Sequence, residues 1–327
     1  MDRRYIDIED ADTLVLRTDQ APKPGPDEML IEVAFAGINR ADVLQRMGLY
    51  PVPEDASPIM GLEVAGTVCE TGANVSAFKP GDRVCALVHG GGYASHAVAR
   101  EDHTLHLPEN LTTKEGAALP EALLTVWHNV FHLGQLKPGE TLLIHGGGSG
   151  IGSIGIQMAL AHGAKVISTA GGPEKCQRVR DLGAEFVSDY RDGDLLEQFT
   201  TAGYGGKVDV ILDIAGGDFV PINLGLAAPD ARIVCIGVMR GAQATVDLFQ
   251  ILMKRLTLTG STLRGMGHAG RAEGFSTIRD TVLPWVRQKT VAPIIDKVYP
   301  LADAMEAQQT MQSGSHFGKL ILDCQQV

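Results

Sequence analysis

From residue 141 onward, short apolar runs alternate with longer stretches of helical length. Six strand candidates, 141–145, 165–169, 185–188, 208–213, 231–236 and 256–262, are separated in this way. Regular alternation of strand and helix predicts a doubly wound parallel sheet. Apolar runs such as 208–213 and 232–236 suit strands covered by helices on both faces. Before residue 120 the texture changes to short strands punctuated by Gly and Pro, as in Pro22-Lys23-Pro24-Gly25-Pro26, which reads as a mostly β domain. After residue 262 there are a helix at about 271–288, the run 291–295 and a closing strand, 319–322. These are too few elements for a third domain, so the tail is expected to rejoin the first. The pattern predicts a discontinuous domain, 1–120 with 263–327, and a second domain, 121–262.

The first strand of the parallel set runs into His145-Gly146-Gly147-Gly148-Ser149-Gly150-Ile151-Gly152 and then an apolar helix. Clustered glycines let the backbone approach a pyrophosphate closely, while the N–H groups at the following helix start face the anion. Gly148, Ser149, Gly150 and Ile151 are the expected pyrophosphate contacts. The strand 165–169 completes a βαβ unit of dinucleotide-binding length. An NAD site would place an acid at the tip of that second strand, but the tip reads Thr169-Ala170-Gly171-Gly172, followed by Glu174-Lys175. A tip without a carboxylate and with a nearby Lys favours NADP(H). Geometry alone adds Ile236, Gly237, Val238 and Met239, then Leu263 and Arg264, because ligands of open parallel sheets lie beyond the carboxyl ends of the strands.

Composition narrows the class. The 327 residues suffice for two domains, and a net charge of −11 argues against a nucleic-acid surface. No apolar run is long enough to span a bilayer, and the N-terminus lacks the apolar core of a signal peptide, so a cytoplasmic protein is expected. The five cysteines are scattered, without the close pairs of zinc or redox motifs. His128 and His132 are four apart, but beside Trp127 and Phe131 they read as packing, and no histidine joins the candidate site.

Several separated motifs carry a family resemblance: the run 36–46 with Tyr50-Pro51, Gly61-Leu62-Glu63-Val64-Ala65-Gly66, Lys79-Pro80-Gly81-Asp82-Arg83-Val84, Gly90-Gly91-Gly92-Tyr93-Ala94, Leu119-Pro120-Glu121 and the glycine turn. The chain resembles the medium-chain dehydrogenase/reductases, and within them the zinc-free quinone oxidoreductases related to zeta-crystallin. The run 39–50 and the ending Phe317-Gly318-Lys319 look closest to the p53-inducible type. The resemblance implies an α/β protein: a Rossmann doubly wound parallel sheet plus a mostly β GroES-like domain. Alcohol dehydrogenases of this frame bind catalytic zinc through a Cys and a His, where this chain has Asn39 and Leu62. Leu cannot ligate zinc and an amide is a poor substitute for a thiolate, so no metal is expected.

Without a metal to polarise a carbonyl, the substrate must accept hydride readily, and a quinone does so. The expected activity is zinc-independent, NADPH-dependent quinone reduction. An enone or enoyl reductase and a non-catalytic, crystallin-like NADPH-binding protein are the alternatives. The resemblance places Tyr50 over the nicotinamide as a substrate-side donor, though Tyr50 could equally be an aromatic packed on Pro51 and Pro53. It gives Asn39 a hydrogen bond to the nicotinamide ribose or the substrate oxygen. Thr125 is an expected cofactor contact, and Gly171, Gly172, Lys175 and Tyr190 would flank the adenosine ribose and its 2′-phosphate. Tyr190 reads equally well as a half-buried aromatic at a strand end. A homodimer through sheet edges is also implied.

Overall fold

The Gly- and Pro-broken N-terminal third folds because its short strands bury one face in a shared core. In the computed structural model, which describes Met1–Gln326, this region holds β1 (Asp2–Asp10), β2 (Thr13–Gln20), β3 (Glu28–Ile38), α1 (Arg40–Arg46), β4 (Glu63–Thr71), β5 (Arg83–Leu87), β6 (His96–Arg100), β7 (Thr104–His106) and α2 (Thr113–Gly116). Val327, which the sequence assigns to the first domain, lies outside the described residues. The chain continues through α3 (Pro120–Val126), β8 (Thr141–Ile144), α4 (Gly150–Ala161), β9 (Lys165–Ala170), α5 (Pro173–Asp181), β10 (Phe186–Asp189), α6 (Leu195–Thr201), β11 (Val208–Asp213), α7 (Phe219–Leu226), β12 (Ala227–Cys235), α8 (Leu248–Lys254), β13 (Thr257–Gly260), α9 (Gly267–Thr277) and α10 (Leu283–Arg287). It closes with β14 (Ile295–Pro300), α11 (Ala304–Ser313) and β15 (Lys319–Asp323).

Two compact units result, Met1–Glu121 with Pro293–Val327, and Ala122–Ala292. In the first, β1 and β2 form a hairpin, and a seven-stranded sheet runs β14-β15-β3-β4-β5-β7, with β6 also on β3. Its pairs are antiparallel except β14 with β15. The core gathers the inward side chains of several strands, among them Met29, Ile31, Val64, Val84, Leu320 and Leu322.

The second unit holds a six-stranded sheet in the order β10-β9-β8-β11-β12-β13, with every pair parallel. Each of Leu142, Leu143 and Ile144 is fully buried, and each such side chain contributes about 1.5–3 kcal/mol relative to exposure. The order reverses between β8 and β11, which is where open parallel sheets bind their ligands.

The second boundary falls at Pro293, not at 263 as the sequence pattern predicts. Residues 263–292 stay with the parallel sheet because their packing lies there. Gly274 of α9 is pressed on Leu124 and on the Trp127 ring, where an added Cβ would come within 3.0 Å. The side chain of Gln157 in α4 also clasps the backbone of Ala292, donating to its carbonyl and accepting from its N–H, both at 2.9 Å. Periodicity reveals a helix but not the surface it covers. No helix among the described residues is long and apolar enough to cross a membrane.

Candidate active site

In the first unit the chain leaves β3 at Asn39, which starts α1. Asn39 is 5% exposed and its amide is bonded at both ends. Lys319, at the start of β15, donates to Asn39 Oδ1 at 2.6 Å, and Asn39 Nδ2 donates to Glu63 Oε1 at 2.9 Å. Ammonium only donates and carboxylate only accepts, so the pair leaves the amide one orientation. Lys319 also bonds Glu63 Oε1 directly, and Glu63 Oε2 accepts the Glu121 N–H at 3.0 Å. Glu63 sits where the backbone of Gly37 passes, and a Cβ at Gly37 would meet its carboxylate. The expectation for Asn39 as a cofactor or substrate contact therefore concerns a residue whose amide carbonyl is held by Lys319 and one of whose two amide hydrogens is held by Glu63.

A second buried acid adjoins this cluster. Asp42 Oδ2 accepts from the Asn39 N–H at 2.8 Å and from the Tyr93 hydroxyl at 3.0 Å. Burial pushes the Asp42 carboxyl up to about 6, against these hydrogen bonds, which hold it down. Tyr93 is fully buried, and burial followed by the Asp42 charge raises its phenol well above the ordinary value. Gly61, at φ +97°, passes so close to the Tyr93 backbone that no Cβ fits. The run Gly90-Gly91-Gly92-Tyr93 thus serves packing. Tyr50 is half-buried in the loop after α1, close in sequence to the exposed Leu49.

In the second unit the glycine turn takes its shape from close contacts. Gly146 adopts φ +71°, a Cβ on Gly147 would strike the Ser168 hydroxyl, and one on Gly152 would strike the Gly146 carbonyl. Ser149 caps α4, its hydroxyl accepting from Gly152 N–H at 2.9 Å, with Gly150 and Ile151 opening the helix. Gly148 completes the turn. This is the anion-facing geometry of a dinucleotide site.

At the tip of β9, Gly171 is buried against the Tyr190 phenol and lies where a Cβ would be 3.0 Å from Arg191 Nε. Gly172, at φ +93°, starts α5, and Lys175 stands half-buried in its first turn. Arg191 is the cation that sequence reasoning missed; it lies 5.9 Å over the Tyr190 ring and next to Gly172. Its only signal was adjacency to Tyr190. The tip also has an acid that the sequence reading did not see. Asp189, from the neighbouring strand, accepts from the N–H groups of Gly172 at 3.0 Å and Arg191 at 2.9 Å. One oxygen, Oδ1, takes both backbone bonds.

Beyond β12, Ile236 and Gly237 are half-buried while Val238 and Met239 are exposed. Beyond β13, the buried Arg271 donates to the Leu263 carbonyl at 3.0 Å and the Arg264 carbonyl at 3.2 Å, which fixes that loop. Thr125 is buried within α3, and its carbonyl accepts from Asn129 at 2.8 Å. His128 and His132 stack on each other at 5.4 Å, and His132 stacks on Trp127 at 5.4 Å.

A glycine turn at the reversal point of a parallel sheet, joined in one chain to a β-rich unit with a buried Asn–Glu–Lys cluster, defines a dinucleotide-dependent medium-chain dehydrogenase/reductase. Family profiles agree: the alcohol dehydrogenase GroES-like domain matches residues 25–109 and the zinc-binding dehydrogenase domain matches 150–280. Quinone oxidoreductase of Rattus norvegicus is 30% identical over 322 residues, 98% of this chain and 96% of the relative. The structure of Escherichia coli quinone oxidoreductase complexed with NADPH is similar with a TM-score of 0.87 at 29% identity, over 99% of this chain and 100% of that one. CurK enoyl reductase gives a TM-score of 0.85 at 27% identity, over 98% and 99%. The chain belongs to the quinone oxidoreductase family, in the zinc-free branch of the medium-chain dehydrogenase/reductases, and is an oxidoreductase.

The residues present do not fit the zinc ion of the wider family. Leu62 offers no ligand atom, and Asn39 Oδ1 already accepts from an ammonium, whose charge would repel a second cation. The dinucleotide fits better: the turn has the required close backbone approach, and at the tip Arg191 brings positive charge beside Gly172, with Lys175 in the first turn of α5, while Asp189 Oδ1 is occupied by the N–H groups of Gly172 and Arg191.

Proposed function

We propose that the protein is an NADPH-dependent quinone reductase. The observation that carries this reading is the closed Asn39–Glu63–Lys319 cluster, built on the residue that the family resemblance sets at a metal-ligand position of the alcohol dehydrogenases. A site built this way offers no Lewis acid, so it suits an acceptor that takes hydride without one. NADPH, when bound, supplies the hydride. The N–H groups of the turn from Gly148 to Ile151 bind the pyrophosphate, and Lys175 and Arg191, with Tyr190, receive the 2′-phosphate. Thr125, Ile236, Gly237, Val238, Met239, Leu263 and Arg264 complete the cofactor's surroundings. Asn39, held in one orientation, and Tyr50 supply hydrogen bonds to the acceptor.

The purified protein should oxidise NADPH in the presence of 1,4-benzoquinone or 9,10-phenanthrenequinone, and Tyr50→Phe and Asn39→Ala should slow turnover. Folded, NADPH-bound protein inert across a broad quinone panel would overturn the assignment. The likeness to CurK enoyl reductase supports a second reading, reduction of a conjugated enone or enoyl substrate, which demands the same hydride chemistry. Far higher kcat/KM on enoyl substrates would select it.

The protein is further proposed to pair with a second copy. β13 is an edge strand carrying the exposed Leu258, and Leu248, Phe249, Leu252 and Met253 of α8 are each more than half exposed. An open edge flanked by apolar side chains is a surface that a symmetric partner can cover. Sedimentation showing only monomer at micromolar concentration would refute this.

A further inference from the structure

His145 stands at the end of β8, immediately before the glycine turn, and has no place in the cofactor contacts above. It is 1% exposed, and Thr169, Asn223 and Asp213 around it are fully buried. Their hydrogen bonds form one chain, and its direction can be read from the chemistry. Asn223 Nδ2 donates to Asp213 Oδ2 at 2.9 Å, because a carboxylate accepts. Asn223 Oδ1 then faces His145 Nε2 at 2.7 Å, so Nε2 carries a hydrogen. Burial, the largest influence, holds the imidazole below its ordinary value and therefore neutral, so Nδ1 accepts. Its partner at 3.2 Å is the Thr169 hydroxyl, whose oxygen accepts the Gly146 N–H at 3.1 Å.

The other oxygen of the acid is also committed to backbone. Asp213 Oδ1 accepts the N–H groups of Ala215 at 2.7 Å and Gly216 at 3.0 Å. One buried carboxylate therefore ends a path to the loop after β8 and directly holds the loop after β11, the two strands between which the sheet order reverses. Four buried polar side chains are a costly way to fill a core, since apolar residues of similar volume need no partners. Both ends of this chain are main-chain groups of loops beyond the carboxyl ends of the strands.

We propose that Thr169, His145, Asn223 and Asp213 are positioning residues that hold the pyrophosphate turn and the loop after β11 in one fixed arrangement, so that the dinucleotide meets a preformed site. The proposal rests on the NADPH reading given above. Preorganisation of this kind raises affinity by removing an ordering cost from the binding step.

Thr169→Val removes the hydroxyl at nearly constant volume and deprives both Gly146 N–H and His145 Nδ1 of their partner. Fluorescence titration should show NADPH binding weakened about tenfold, within the range expected when buried polar groups lose their partner, with adenosine 2′-monophosphate, which lacks the pyrophosphate, changed by less than about twofold. Thr169→Ser should restore NADPH affinity. Unchanged NADPH affinity in Thr169→Val overturns the proposal, as does equal weakening of both ligands, which marks a general loss of structure. Wild-type protein that fails to bind NADPH overturns the cofactor reading itself, and the proposal with it. A second measurement reads the chain directly. In Asp213→Asn the new amide can donate to Asn223, which reverses the Asn223–His145 and His145–Thr169 bonds while Gly146 N–H still donates to Thr169, so the nitrogen-15 shifts of His145 should move from the Nε2–H to the Nδ1–H tautomer. A tautomer other than Nε2–H in the wild type, or no change in Asp213→Asn, contradicts the directed chain.

Discussion

A buried polar network in each unit, the Asn39 cluster in the first and the His145 chain in the second, is built on a principle opposite to the other's. In the first, Asn39, Glu63 and Lys319 form a closed cluster holding both a cation and an anion, none more than 5% exposed. In the second, His145, Thr169 and Asn223 are neutral and lead to a single anion, Asp213, which accepts from two backbone N–H groups, the Asn223 amide and the Cys235 thiol. The first network depends on charge pairing, so losing one member strands a charge in the core. The second depends on hydrogen bonds, so losing a neutral member breaks hydrogen bonds but removes no counter-ion, and Asp213 keeps its backbone N–H partners. Each suits the role proposed for it: a charged pair fixes the amide of Asn39, and a neutral relay anchors the glycine turn without adding charge beside the proposed pyrophosphate contacts.

The contrast predicts a graded set of outcomes. Lys319→Met should cost the most, about 3–5 kcal/mol in urea unfolding, because Glu63 remains buried and unpaired. The double variant E63Q/K319M should recover most of that loss while leaving Asn39 free to flip, so stability returns and kcat does not. Equal instability of single and double variants would break the charge-pair account.

Next comes Asp42, which borders the first network. Its carboxyl ionises at about 6 in the folded chain, against a usual 3.8. Between those values the native state holds a proton that the unfolded chain has released, so stability is full below about pH 4 and falls as pH rises through about 6. A shift of that size corresponds to at most about 3 kcal/mol. Wild type should therefore lose stability relative to Asp42→Asn between pH 4 and pH 7, and parallel pH profiles would contradict the assignment.

Asn223→Leu, in the neutral network, should cost about 1–3 kcal/mol, less than Lys319→Met, since only hydrogen bonds are left unmade. A cost matching that of Lys319→Met would erase the distinction between the two regions. The smallest effect is expected at the cofactor tip: Arg191→Ala should weaken NADPH about fivefold, an exposed charge being worth about 1 kcal/mol, and leave NADH nearly unchanged. Equal loss for both nucleotides would remove Arg191 from the 2′-phosphate site.

The same contrast explains what the chain reveals in advance. β8 and β11 are legible because strands covered on both faces are predominantly apolar, and the glycine turn is legible because close backbone approach admits only Gly at Gly147 and Gly152. The second domain boundary is not legible, because the contact between Gly274 and Trp127 joins positions far apart in sequence. Asn39 stands out because the family resemblance sets it at a metal-ligand position, yet its restraint by Lys319 spans 280 residues, and the bond between His145 and Asn223 spans 78. No local pattern encodes such pairs. Arg191 is hidden for another reason: beyond its place next to Tyr190, an exposed arginine after a strand has no signature until the structure sets it beside Gly171 and Gly172.

The central claim is hydride delivery to a quinone without a metal. Its most direct test is the initial rate of NADPH oxidation with 9,10-phenanthrenequinone before and after dialysis against a strong zinc chelator. The account predicts quinone-dependent turnover that chelation leaves unchanged. Turnover abolished by the chelator and restored by zinc would contradict it.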